Sequence, residues 1–347
     1  MRQTEVQVPG KPNSTLRQPV IQVQGLNKSF RVYKGRPGIL GALRNLVSTD
    51  FKLVQAVTDV SFEVSQGEIL GYIGPNGAGK STTIKMLTGI LTPSGGQVLV
   101  KGIDPNRQRT QNARQIGVVF GQRTQLWWDL PLIDSFDLLR YIYKIPQDRY
   151  IKNLALFREL LDLDSFIQTP VRQLSLGQRM RGDIAAALLH NPDILYLDEP
   201  TIGLDVVAKE RLRGFIRAIN QEQGVTVLLT THDMSDIEQL CQRLLIIDKG
   251  RLLYDGGIEE IRQRYGKQRT LVVDLEAGSA GSEPLAVPGA VELKATGLRR
   301  WLGFNRDEVS AAQLISRLAE RYPVQDLSIE EPEIEGIIRR IYQEGLD

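Results

Sequence analysis

Ile69-Leu70-Gly71-Tyr72-Ile73-Gly74-Pro75-Asn76-Gly77-Ala78-Gly79-Lys80-Ser81-Thr82 begins as a short apolar run, turns into a glycine loop, and leads to Ile84-Lys85-Met86-Leu87. Strand, glycine loop and helix in that order form the context a phosphate-binding loop requires. Small side chains let successive backbone N–H groups converge on a polyphosphate, and the following helix offers its unpaired N-terminal donors to the same anion. Lys80 has the reach for the terminal phosphates, and the Ser81 hydroxyl suits a magnesium ion, which prefers hard oxygen ligands. The competing reading, a glycine-rich hairpin turn, leaves the Gly79-Lys80-Ser81-Thr82 ending without a reason.

Outward from this loop the apolar runs predict an α/β core. Ile194-Leu195-Tyr196-Leu197 and residues 225–229 are continuous apolar runs, as in strands of a parallel sheet covered on both faces. Leu212, Phe215, Ile216 and Ile219 between them mark a helix by the 3.6 period. Strand, helix, strand, with a nucleotide loop at a strand's carboxyl end, is the pattern of a doubly wound sheet. Further strands are predicted over 20–24, 57–64, 97–101 and 116–120, and a hairpin over 244–254 about Lys249-Gly250. Ile39, Leu40, Leu43, Leu46 and Val47 recur at helical spacing, predicting a short amphipathic helix that packs on its own domain or on a partner. From 130 to 189 Phe136, Leu139, Tyr143, Leu154, Phe157, Leu160 and Leu161 keep a helical period, predicting a helical subdomain inserted at about 123–190.

Past residue 266 the texture changes. Strands are predicted over 270–275, 300–304 and 324–329, a Gly/Ser/Pro loop over 277–288, and a helix over 311–321 with Leu314, Ile315 and Leu318 inward. Pro332 opens a final helix carrying Ile334, Ile337, Ile338 and Ile341. The expected domains are a flexible tail over 1–18, a nucleotide-binding domain over 19–266 and a small α+β accessory domain over 267–347. The chain's 347 residues fit about two domains.

Composition narrows the function. With 43 basic against 41 acidic residues, bulk charge gives a nucleic-acid partner no support. The one cysteine, Cys241, excludes an internal disulfide and a cysteine-rich zinc site, and its flanking Leu240 and Leu244 place it in a core. No apolar run approaches the roughly 20 residues that cross a bilayer, and the first 17 residues carry no signal-peptide pattern, so any membrane role is expected through a partner.

Two further motifs carry chemistry. Asp198-Glu199 ends the apolar run 194–197, where adjacent carboxylates can divide labour: Asp198 towards the magnesium shell, Glu199 polarising a water for attack on a γ-phosphate. Leu174-Ser175-Leu176-Gly177-Gln178 opens a helix, and serine, glycine N–H and helix N-terminus together offer a second anion-binding surface; an ordinary helix cap is the plainer reading.

The set 74–82, Gln122, 174–178, Asp198-Glu199-Pro200, Gly203-Leu204-Asp205 and His232 resembles, in this order, the ATP-binding-cassette ATPases, over roughly residues 20–266. The resemblance implies a P-loop NTPase core of the RecA-like kind, with an antiparallel β subdomain and the inserted helical subdomain, binding ATP and Mg2+. It implies the loop Gly74, Pro75, Asn76, Gly77, Ala78, Gly79, Lys80, Ser81 and Thr82 on the phosphates, and Ser81, Gln122 and Asp198 at the metal. Glu199 would be the catalytic base and His232 the γ-phosphate switch, with Gln122 also at the attacking water. Ser175, Gly177 and Gln178 would meet the nucleotide of a facing subunit, a second copy or a paralogue, and Asp205 would link the two sites. Phe30 is the expected adenine-stacking aromatic, with Tyr33 the alternative. Leu176 stands where the family has glycine, which leaves the binding to Ser175 and Gly177. Residues 174–205 look like the ATPases of ABC-2-type exporters, implying a separate integral-membrane permease and a peripheral place on the cytoplasmic face of the membrane. An importer ATPase, or a soluble ATPase acting on ribosome or DNA, is the alternative. Trp127 and Trp128 lie where such ATPases receive a permease, or else pack inside the helical subdomain.

Overall fold

The computed structural model describes residues 19–33, 51–121, 123–276 and 284–344. The tail before residue 19, the amphipathic helix expected over 39–47, Gln122 and most of the 277–288 loop lie outside the described residues. The chain divides into two compact units, Met1–Ile69 with Gly79–Leu229, and Leu70–Ala78 with Thr230–Asp347.

In the first unit, β1 (Pro19–Tyr33) and β2 (Phe51–Ser65) are each 15 residues long. They extend well past the 20–24 and 57–64 segments that alternation reveals. The reason is bulging: the β1–β2 register shifts three times between Val23 and Ser29, which breaks the period-2 pattern. Gly25 and Asp59 adopt positive φ there. Asn27 holds the irregular stretch, its Nδ2 donating to Gly25 O at 2.7 Å and its Oδ1 accepting from Asp59 N at 3.1 Å. The chain leaves this unit in β3 (Ile69–Ile73) and returns just before α1 (Lys80–Leu87). β4 (Gly95–Val100) pairs antiparallel with β1, giving the sheet order β2-β1-β4.

After a short α2 (Arg109–Ala113), β5 (Ile116–Phe120) leads to α3 (Leu132–Tyr143) and α4 (Gln147–Leu160). A 3-10 turn, Val171–Gln173, precedes α5 (Leu176–Leu188). α3 and α4 each follow a proline, Pro131 and Pro146, whose fixed φ marks the end of extended chain. β6 (Ile194–Asp198) lies parallel to β5 and is buried at every residue, as its unbroken apolar run requires. α6 (Val206–Gln223) and β7 (Thr226–Thr230) follow, with β7 beside β6. Phe157 of α4 meets Phe215 of α6 edge-on, ring centroids 5.8 Å apart.

The second unit contains α7 (Met234–Leu240), β8 (Arg243–Asp248), β9 (Arg251–Gly257) and α8 (Ile258–Tyr265). β3 is parallel to β8, and β8 and β9 form the expected hairpin, with Lys249 and Gly250 both at positive φ. Cys241 is buried. Next come β10 (Gln268–Leu275), β11 (Ala290–Thr296), β12 (Arg299–Asn305), α9 (Ala311–Arg321), β13 (Val324–Glu330) and α10 (Ile334–Glu344). The sheet order is β11-β12-β10-β13, antiparallel throughout. Leu314 and Leu318 of α9 pack with Leu271, Val273, Leu302 and Phe304 into one core. β11 escapes the sequence reading because Val291 and Leu293 are exposed, so its apolar residues do not mark a buried face.

Candidate active site

Lys80 opens α1 directly after Gly79, whose φ of 110° suits glycine alone. Thr83 ties this turn, its N and Oγ1 donating to Gly79 O at 2.9 and 3.1 Å. Lys80 is buried, 6 % exposed. Burial lowers its pKa, opposed by the charges of Glu199 and then Asp198. A desolvated cation beside two carboxylates is therefore built into this unit.

Asp198 is the buried last residue of β6, and Glu199 follows it with φ 56°. A non-glycine residue in this left-handed conformation stores about 1–2 kcal/mol, and such strain collects where a side chain must be aimed. The chain beyond β5 is pressed against this turn. Gly121 N donates to Asp198 O at 2.8 Å, and a Cβ at Gly121 would lie 2.6 Å from Glu199 O. Gly121 and the strain at Glu199 emerge from the structure alone, since Pro200 biases the residue before it towards extended backbone and not towards positive φ.

The donors present fit magnesium. Ser81 in the first turn of α1 and Asp198 at the strand end supply hard oxygens. Among the described residues no group of three or more His, Cys, Asp or Glu could hold a metal by itself. Magnesium takes one or two protein oxygens and completes its shell with water and phosphate, so Ser81 and Asp198 are the residues that would hold it.

Residues 174–178 form a second cluster in the same unit. Ser175 caps α5 in a capping box: its Oγ accepts from Gln178 N at 3.2 Å and Gln178 Oε1 accepts from Ser175 N at 2.9 Å. The cap uses an acceptor site, which leaves the hydroxyl proton for another partner. Leu176 is the first helical residue and has no positive φ, so the glycine freedom expected to be missing here is not needed. Gly203-Leu204-Asp205 packs against this helix start, a Cβ at Gly177 reaching Leu204 Cδ2 at 3.5 Å. Asp205 caps α6, accepting from Ala208 N at 2.8 Å.

On β1, Phe30 is partly exposed, opposite Val54, with the Lys28 ammonium 5.2 Å from its ring centroid. The Tyr33 side chain lies outside what is described. Trp127 and Trp128 are 37 % and 50 % exposed, and the Arg179 guanidinium lies 5.7 Å from the Trp128 ring.

In the second unit the loop 74–78 closes tightly. Ala78 N donates to Pro75 O at 3.1 Å and Gly250 N to Ala78 O at 2.9 Å. A Cβ at Gly74 would come within 2.4 Å of Ile247 O, so only glycine fits. His232 is exposed on a turn fixed by Thr231, whose hydroxyl donates to Asp236 Oδ2 at 3.1 Å and accepts from Asp233 N at 3.0 Å.

This arrangement has known counterparts. Residues 57–202 match the ABC transporter family. The Nod factor export ATP-binding protein I of Cupriavidus metallidurans is 38 % identical over 210 residues, covering 59 % of this chain and 67 % of the relative. The chain belongs to the ABC transporter ATPases. A second relative, the methionine import ATP-binding protein MetN of Latilactobacillus sakei, is 31 % identical over 290 residues, 79 % of this chain and 81 % of the relative. A solved ATP-binding subunit of an ABC transporter superposes with a TM-score of 0.59 at 26 % identity, covering 71 % of this chain and 93 % of that one. ABC ATPases bind and hydrolyse ATP, dimerise and pair with membrane permease components. In this ABC ATPase no helix among the described residues is long and apolar enough to cross a membrane.

Proposed function

We propose that this ABC ATPase powers export through a separate ABC-2-type permease, closing as a dimer around two ATP molecules on the cytoplasmic face of the membrane. The observation that carries the catalytic part is buried Lys80 in the field of Asp198 and Glu199. In this reading residues 74–82 hold the triphosphate, with Lys80 on the terminal phosphates. Ser81, Asp198 and Gln122 hold magnesium, which when bound neutralises charge on the phosphate oxygens. Glu199 orients water and takes its proton, and its fixed backbone keeps the carboxylate aimed without reorganisation. His232 touches the γ-phosphate and Phe30 stacks on adenine. Ser175, Gly177 and Gln178 meet the nucleotide of the facing protomer, a second copy or a paralogue, and Asp205 links the two sites.

Export is supported by residues 174–205, which look like those of ABC-2 exporters' ATPases, and by the relative named for Nod factor export. The half-exposed Trp127 and Trp128 suit aromatic anchors for a permease. ATP is the differential ligand that favours closure, and hydrolysis reverses it. The boundary at 266/267, with 267–347 as an accessory domain, belongs to the same proposal. A second reading, import, is favoured by the match to MetN over 81 % of that protein's length. Reconstitution with its membrane permease in vesicles decides between them. ATP-driven movement away from the ATPase side supports export; movement towards it replaces that reading with import. No ATP-driven movement in either direction overturns both.

A further inference from the structure

In the second unit, α8, the start of β10, the chain beyond β12 and the approach to α10 enclose a cavity of about 260 Å³. Its lining holds three arginines, Arg262, Arg269 and Arg306, with Gln263 and the carboxylates Glu259 and Glu331. The charges are unevenly placed. Arg269 is 28 % exposed and its partner Glu331 62 %, whereas Arg262, 39 % exposed, is paired at 2.7 Å with Glu238 outside the cavity lining and faces the 74 % exposed Glu259 at 3.7 Å. Within the lining, the carboxylates Glu331 and Glu259 are more exposed than the guanidiniums they face. Two guanidiniums keep donors in reserve. Arg269 Nε is buried without an acceptor among the described residues. Arg306 makes no ion pair among them, and its Nη2 donates only to Gln263 O at 2.9 Å.

We propose that this cavity binds a small phosphate-bearing anion. Guanidinium forks match phosphate oxygens, and three approaching from different elements suit a tetrahedral group better than a planar carboxylate. The volume lies just below that of drug-sized pockets, so it suits a compact phosphorylated molecule. Glu331 holds the place of the ligand on Arg269 and leaves when the ligand enters. The walls are preset: a Cβ at Gly266 would lie 2.3 Å from Arg262 O and 3.2 Å from Pro332 Cγ, so the backbone on either side is in close contact.

The test is calorimetric titration of inorganic phosphate into the full chain saturated with MgADP, at constant ionic strength, comparing wild type with Arg306→Gln and Glu331→Gln. The nucleotide site is common to all three, so the differences report on the cavity. The proposal expects at least tenfold weaker phosphate binding in Arg306→Gln and severalfold tighter binding in Glu331→Gln. A purely structural role, through the Arg306–Gln263 hydrogen bond or the Glu331–Arg269 ion pair, predicts lower melting temperature with unchanged phosphate affinity in both, and that result overturns it. If Arg306→Gln fails to fold, Glu331→Gln decides alone. Equal stabilisation by acetate overturns the choice of phosphate. Flotation with phosphatidylglycerol vesicles that requires Arg306 supports the site and assigns its phosphate to a lipid headgroup; no flotation assigns it to a soluble molecule.

Discussion

Leu176 lies directly over Gly203: a Cβ built at Gly203 would stand 2.5 Å from Leu176 Cδ2. The first residue of the signature helix and the loop before Asp205 thus fit together side chain to backbone. Gly203 also has φ 70°, and it is this backbone conformation that holds it as glycine, since the Leu176 Cδ2 above it is the end of an exposed side chain that can move aside. The position where the resemblance leads one to expect glycine is filled here by a side chain that reaches across to the 203–205 loop of the same unit.

Gly203→Ala is therefore expected to destabilise the chain by about 1–3 kcal/mol, mainly through backbone strain at φ 70° and to a lesser extent by displacing Leu176. Leu176→Gly removes the clashing partner at a helix cost of up to about 1 kcal/mol. The two changes share one contact, so the double variant should be more stable than the sum of the singles by about 0.5 kcal/mol or more. Urea unfolding of the four proteins measures this, and strict additivity would show that the contact is not formed.

Glu199→Gln is expected to keep ATP binding, stall hydrolysis and accumulate a closed dimer detectable by light scattering. Glu199→Gly should also lose hydrolysis, yet gain about 1 kcal/mol of stability, because glycine adopts φ 56° freely. Urea unfolding beside phosphate release checks both. A Gly variant less stable than wild type would mean that the Glu199 side chain stabilises the fold by more than its backbone strains it.

Lys80→Ala is expected to abolish hydrolysis and weaken ATP binding about ten- to a hundredfold, the range of a lost hydrogen bond to a charged group. Near-normal turnover in this variant would falsify the assignment of residues 74–82 to the phosphates.

Two buried groups set opposing pH dependences. Burial pushes the Asp183 carboxyl up to about 6, although Gln125 N at 3.0 Å and Thr124 Oγ1 at 2.8 Å both donate to it. Its folded value lies above the unfolded one, so its contribution is present below about pH 4 and lost as pH rises to about 6. His190, stacked on Tyr143 at 4.1 Å with Nε2 donating to Ile116 O at 3.0 Å, is pushed down to about 4 by burial. Its contribution is present above about pH 6.5 and lost as pH falls to about 4. Each amounts to about 3 kcal/mol. The two nearly cancel across this window, so wild-type stability should change little from these groups. Asp183→Asn should expose a loss of stability on acidification, and His190→Gln a loss on raising the pH. Urea unfolding at the two ends of the window reads both; parallel profiles in the two variants contradict the opposition.

Legibility in the sequence followed the way each element is buried. β3 and β5 coincide with the segments read for them, and β6 runs only one residue further to include Asp198, because strands covered on both faces leave unbroken apolar runs. α9 also coincides with its reading, since Leu314 and Leu318 face one core. β1 and β2 were read at a fraction of their length because bulges interrupt alternation. β11 was missed because its apolar side chains face outward. α7 and α8, of seven and eight residues, are too short for a helical period to establish itself.

The sequence alone determined which groups this ABC ATPase is proposed to bring to a nucleotide, because a phosphate-binding loop depends on local backbone freedom, one lysine and one hydroxyl, all contiguous between Gly74 and Thr82. Only the tertiary structure decided how those groups are held. The burial of Lys80 beside Asp198 and Glu199, the strained turn at Glu199, the seat of Leu176 on Gly203 and the arginine-lined cavity all join residues distant along the chain. Desolvation, steric fit and charge placement depend on what surrounds a residue in space, and spacing along a chain carries no measure of that.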